Sequence, residues 1–193
     1  MDELELVQIL GNFEMISLDF DRYRRVRIWL ADPPDLEYDE IATIERVLAV
    51  GATTNIRPMR EHSVTMELFM PMSGMAAYAC LGIDYVTSPS DQLTIEIAMS
   101  NDEGRIVKDL LADKVDEVRV GLPQDYANAV VESLLDEMKA SLVPGTIRVQ
   151  RAAHGIVGSS SRVFGLLTKL IVRLMFHDIE SLTENEIKGL INL

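Results

Sequence analysis

Hydrophobic and polar residues alternate in several separate runs along this chain, and the spacing turns helical only in the last third. In "QLTIEIAMS", Leu93, Ile95, Ile97 and Met99 fall on one side and Thr94 and Glu96 on the other, which predicts a strand over Gln92–Ser100. "SVTMELFM" (Ser63–Met70) and "AAYACLGIDYV" read as two more strands, separated by the turn "PMSG". With the turn "TSPSD" before Gln92, the three predict an antiparallel meander with one wet face. Met15–Phe20 and Tyr23–Leu30 predict two earlier strands, with "DRYRR" exposed on its charged side, and residues 4–12 read as a short strand or a docked terminus. The paired prolines of "ADPPDLEYDE" stop the second strand. Asp35 or Asp39 is then placed to cap a helix through about Val50, with Ile41, Ile44, Val47 and Leu48 on one face and Gly51 closing it. "RIVKDLLADKVDEVRVGL" has helical spacing in its first half and strand spacing in "DEVRV".

Further on, Pro123 suits the first turn of a helix, where a missing N–H does no harm. That helix is expected to bury Tyr126, Ala127, Val130, Leu134 and Met138. "PGTIRVQ" supplies a turn and a strand around Thr146–Gln150, and "GSSS" caps a helix from about Ser160 to Phe176. A last short helix begins at Thr183, where Glu186 completes a capping box. Strands followed by helix, strand and helix give an α+β class. A boundary near residue 60 would separate an N-terminal α+β region, 1–60, from an α+β domain, 61–193.

The stretch "VGLPQDYANAVVESLLDEMKAS", followed by "PGTIRVQ" and "GSSSRVF", resembles domain IV of translation elongation factor G. Gly121, Pro123, Tyr126, Ala129 and Val130 match the first part of that family's pattern, and Ser159, Ser160 and Phe164 the second. The likeness runs from about Gln92 to Met175. It implies the ribosomal protein S5 domain 2-like sandwich: a mostly antiparallel sheet with helices on one face, the N-terminal region extending that sheet or forming a smaller unit. It also implies a tip loop, near which His154 lies, that approaches the ribosome. There are departures. The stretch from Ile147 to Phe164 is about two residues shorter than its counterpart, and Gly158 stands where the family has an acidic residue. The phosphate-binding loop of a GTPase is absent from the sequence.

Charge changes this picture. The net charge is −13, a field that repels nucleic acid, so RNA contact is expected only through ribosome association. Yet Ser141 to Met175 carries five basic residues and no acidic one. Apolar residues make up 48% of the 193 and charged ones 25%, the balance of a soluble protein. No apolar run approaches the roughly 20 residues of a membrane span. The acidic "MDELELVQIL" lacks the basic start of a signal peptide, and the lone Cys80 fits a reducing compartment, so a cytoplasmic location is expected.

Two sets of residues are candidates for function. Gly158, Ser159, Ser160, Ser161 and Arg162 place a glycine, three hydroxyls and a cation at a helix start, which suits phosphate or carboxylate; the same composition also serves as a plain N-cap. Arg162, Lys169 and Arg173 share one helix face opposite Val163, Leu167, Leu170 and Leu174. With Arg151 and His154, the cations Lys169 and Arg173 form a candidate interaction surface for an acidic partner or a second copy, or simply a solvated face. His62, His154 and His177 show no metal-ligand spacing, and no Gly-x-Ser-x-Gly elbow marks a nucleophile. No catalytic residue, metal or cofactor is assigned. Met66, Met70, Met72 and Met75 are core residues or the lining of an adaptable groove. The expected function is a non-catalytic binding or regulatory protein with a protein partner or as a homo-oligomer. The alternatives are an enzyme binding a small anion or phosphate near the "GSSS" helix start, and a ribosome-associated factor.

Overall fold

The longest alternating run, "AAYACLGIDYV", becomes part of the longest strand of the structure, Met75–Thr87. The structure is a computed structural model that describes residues 15–51, 59–60, 62–72, 74–139 and 141–192. Strands β1 (Ile16–Asp19), β2 (Arg25–Trp29), β3 (Ala42–Ala49), β4 (His62–Met72), β5 (Met75–Thr87), β6 (Gln92–Met99), β7 (Val118–Val120) and β8 (Gly145–Gly155) form one eight-stranded sheet. Its order is β1-β2-β4-β5-β8-β6-β3, with β7 on the last part of β8. Every pairing is antiparallel except β6 with β8, so the sheet is mixed. Among the described residues three α-helices, α1 (Gln124–Met138), α2 (Ser161–Met175) and α3 (Glu184–Ile191), complete an α+β fold. Strands from both sides of residue 60 belong to the one sheet.

The helices cover one face. Alternate residues of the strands (Val64, Met66 and Leu68; Leu81 and Ile83; Ile95 and Ile97) join Val130 and Leu134 of α1 and Phe164, Leu167 and Ile171 of α2 in a single apolar core. The expected buried set of α1 is found, with Tyr126 half-buried rather than enclosed. Ser160 caps α2, its hydroxyl accepting the Val163 N–H, and the Thr183–Glu186 capping box is present.

Three expectations are corrected. The helix expected through Val50 is the strand β3; Ile44 and Leu48 face the core while Val47 is exposed. As an edge strand with β6 on one side only, β3 buries too little to impose strict alternation. On this strand Arg46 donates to the carbonyl of Glu45 (2.8 Å). Second, β4, β5 and β6 are not a meander: β8 enters between β5 and β6. Third, the supposedly wet face is covered. Thr65 and Glu67 are fully buried, beneath residues 30–41 and a strap of residues 105–117. In that strap the ambiguous stretch forms turns and then β7. The expected strand at 4–12 lies outside the described residues.

The covered face holds a second, smaller cluster: Trp29, Leu36, Tyr78, Cys80, Leu110, Ala112, Val118, Val120 and Ala153. Polar groups are threaded through it. The Glu67 carboxylate accepts the Leu111 N–H (2.6 Å) and lies 3.5 Å from the Arg27 guanidinium, which also donates to the Asp109 carbonyl (2.8 Å). Burial pushes the Glu67 carboxyl up, against the opposing pull of the Leu111 N–H and Arg27.

Candidate functional site

The β1–β2 and β4–β5 turns, the carboxyl end of β8 and the segment before β7 all lie at one end of the sheet, the tip. The parallel strands β6 and β8 both run toward it, and α1 and α2 both start there. The space beyond the carboxyl ends of adjacent parallel strands is where open sheets leave a crevice. Here it is an open cleft of about 540 Å³ lined by Asp102 and Glu103 after β6, Arg119, the first turn of α1 from Pro123 to Tyr126, and His154, Gly155 and Ile156 of the β8 end.

His154 sits at the back of this cleft, 4% exposed. Its Nδ1 lies 3.2 Å from the Gly121 carbonyl. A carbonyl only accepts, so Nδ1 carries the proton. Burial holds the imidazole below its usual pKa, the Gly121 carbonyl and the Asp102 carboxylate opposing, so the ring is neutral at pH 7. Tyr126 stacks on Phe164 (centroids 4.8 Å apart) and meets His154 edge-on at 5.9 Å. Burial, then the carboxylates of Asp102, Asp125 and Asp116, push its phenol above the usual range. Arg119 is bonded to Glu117 (2.6 Å). Asp102, Glu103 and Asp125 are exposed and have no ion-pair partner among the described residues. The cleft is therefore acidic.

The "GSSS" run follows the β8 end and is not part of the cleft lining, and each hydroxyl is engaged within the protein. Ser159 Oγ donates to the Tyr78 carbonyl (2.7 Å) and accepts the Gly155 N–H (2.9 Å). Ser160 caps α2, and Ser161 Oγ donates to the Asp125 carbonyl (3.2 Å). The backbone N–H groups of Val157 and Gly158 both point at the Asp116 carboxylate, at 3.1 and 2.7 Å. A side chain at Gly155 would collide with that carboxylate. Arg162 is exposed on the first turn of α2.

The structure does not bring the candidate cations together. Arg151 lies across the covered face, donating to Ser63 Oγ (2.7 Å) and Asp84 (2.5 Å). Lys169 and Arg173 reach Asp136 (3.9 Å) and Glu137 (3.2 Å) of α1, so the stripe on α2 meets acids of the neighbouring helix. The histidines are also apart. His62 is level with Tyr85 and hence Ile147, seven residues of strand from His154, roughly 23 Å at the usual rise. Of the methionines, Met66 is buried, Met70 and Met72 partly so, and Met75 is exposed at the tip.

Sequence reasoning missed Asp102, Glu103, Arg119 and Asp125 as a group. "NDEG" carries two of them and reads only as a turn; nothing local joins it to Asp125. No group of three or more His, Cys, Asp or Glu among the described residues is arranged to hold a metal ion. No described helix is long and apolar enough to cross a membrane. No family model matches this chain, and neither a curated protein nor a solved structure matches it.

Proposed function

We propose that this is a binding or regulatory protein that engages a protein partner through the tip. The observation that carries the reading is a concentration of exposed apolar side chains. Tyr23, Met75, Val115, Ile156 and Val157, half of the ten large exposed hydrophobics among the described residues, lie at this end of the sheet, and Ile156 also lines the open cleft. Exposed side chains of this kind gain most from being covered by a partner.

The resemblance to domain IV of elongation factor G belongs to the same proposal. Four strands, the last of them the short β7, then helix, strand and helix, with both helices on one face, support a ribosomal protein S5 domain 2-like core from β4 to α2. The fold alone assigns no activity. A ribosome-associated role is weakened by the three unpaired carboxylates at the place where RNA would have to approach. An anion-binding enzyme is likewise weakened, because an incoming phosphate would meet the carboxylates of Asp116 and Asp125. The protein is proposed to act in the cytoplasm.

The test is affinity capture from the native lysate with the wild type and with the double variant Ile156→Asp/Val157→Asp. A partner retained by the wild type and lost by the variant supports the reading. A wild type that retains nothing the variant does not also retain removes it.

A further inference from the structure

We propose that the apolar tip is a docking surface for a basic, apolar segment of another protein, with a lysine or arginine side chain entering the acidic cleft. The inference rests on the binding reading above and names the chemistry of the partner. Gly158 fits between the Ala76 carbonyl and the Asp116 carboxylate, which brings together the segments that carry Met75, Val115 and the pair Ile156 and Val157. These four side chains are 63%, 68%, 55% and 72% exposed, on three chain segments that meet at the tip and form its apolar rim. Ile156 belongs both to that rim and to the cleft, so one ligand segment can touch both.

Charge selects the occupant. Of the charged side chains lining the cleft, Arg119 is neutralised by Glu117, and Asp102, Glu103 and Asp125 have no ion-pair partner among the described residues. His154 is neutral and buried behind them. An ammonium or guanidinium entering here meets carboxylates from two segments, and the cation on the cleft wall, Arg119, is already paired with Glu117. An acidic segment meets repulsion, and a second copy of this chain brings the same acids to the same place. The phenol of Tyr126 stands beside those acids; burial first, and then the carboxylates of Asp102, Asp125 and Asp116, hold it above its usual range.

The probes are three short fluorescein-labelled peptides, one of lysine and leucine, one of lysine and serine, one of glutamate and leucine, read by fluorescence anisotropy. The lysine–leucine peptide should bind. The lysine–serine peptide should bind at least about tenfold more weakly, and the glutamate–leucine peptide not at all. Ile156→Asp/Val157→Asp, and separately Asp102→Asn/Glu103→Gln/Asp125→Asn, should each weaken binding at least about tenfold. Asp39→Asn/Asp91→Asn/Glu132→Gln, which removes the same charge elsewhere on the exposed surface, should leave it within about twofold. All variants alter exposed side chains, and matching thermal melts verify the fold; Ile156→Ser/Val157→Ser replaces any aspartate variant that melts early.

Four results would overturn the proposal: no binding of the lysine–leucine peptide, equal loss in the charge-matched control, binding of single-stranded polyuridylate at the tip, or a wild-type dimer in light scattering that Val157→Asp dissolves. If the captured partner depends on Ile156 and Val157 but not on the three carboxylates, the binding reading stands and this inference falls.

Discussion

On the helix side of β5, Ala79, Leu81 and Ile83 pack into a wholly apolar cluster; on the other side of the same strand, Tyr78, Cys80 and Gly82 share their surroundings with Glu67, Arg27 and Arg151. The helix face is held by regular elements whose side chains interlock. The strap face is held by irregular chain tied down at polar points: Leu111 N–H on Glu67, the Asp109 carbonyl on Arg27, and Val157 and Gly158 on Asp116. A regular face fails when volume is removed from it. A strapped face fails when a polar group loses its partner or its room.

The strongest break should come on the helix face. Phe164→Ala opens a cavity in a fully buried site stacked on Tyr126, and urea unfolding should show a loss of about 3–5 kcal/mol. On the strap face the largest effect is steric. A Cβ at Gly82 would lie 2.8 Å from Arg151 Nε and 2.9 Å from Thr65 Oγ1, both buried, so Gly82→Ala must displace the Arg151 side chain from Asp84 and Ser63. A loss of about 1–3 kcal/mol is expected by the same measurement.

Glu67 sharpens the contrast through pH. Its carboxyl holds a proton more tightly folded than unfolded, because burial outweighs its bonds. The stability this contributes is full below the unfolded pKa and is lost as pH rises through the folded value. Glu67→Gln keeps an acceptor for the Leu111 N–H but does not titrate. The wild type should therefore lose stability relative to Glu67→Gln as pH rises from about 4 toward neutrality, in paired melts across that range. The opposite slope would mean that Arg27 and Leu111 dominate. Asp116→Ala removes the acceptor of two N–H groups, costs about 1 kcal/mol, and should speed hydrogen exchange at Val157 and Gly158 while sparing α2. Smallest of all, Arg173→Ala breaks only an exposed pair with Glu137 and should cost less than about 1 kcal/mol.

The same contrast explains what the sequence revealed. Gln92–Met99, the cap at Ser160 and the Thr183–Glu186 box were legible because each is written in a few adjacent residues. β3 was misread because Ile41, Ile44, Val47 and Leu48 repeat at helical spacing and an edge strand exerts little pressure toward alternation. The polar side of "VTMELF" signals water, yet Thr65 and Glu67 are dry beneath a strap some 40 residues away in the chain. Of the cleft, Tyr126 and His154 were legible singly. Its acids were not, because Asp102 and Asp125 approach one another only once β7 turns the chain back along β8.

The position of β8 also bears on the order in which the molecule is assembled. β8, an interior strand with neighbours on both sides, is the last strand to be synthesised, after α1. Until Gly145–Gly155 leaves the ribosome, β1-β2-β4-β5 and β6-β3 are two half-sheets with open facing edges. A nascent chain halted before that point lacks the one described strand that pairs with both β5 and β6. Closure must wait for one late, long-range insertion, the kind of step that slows folding and leaves strand edges open to other chains in the meantime.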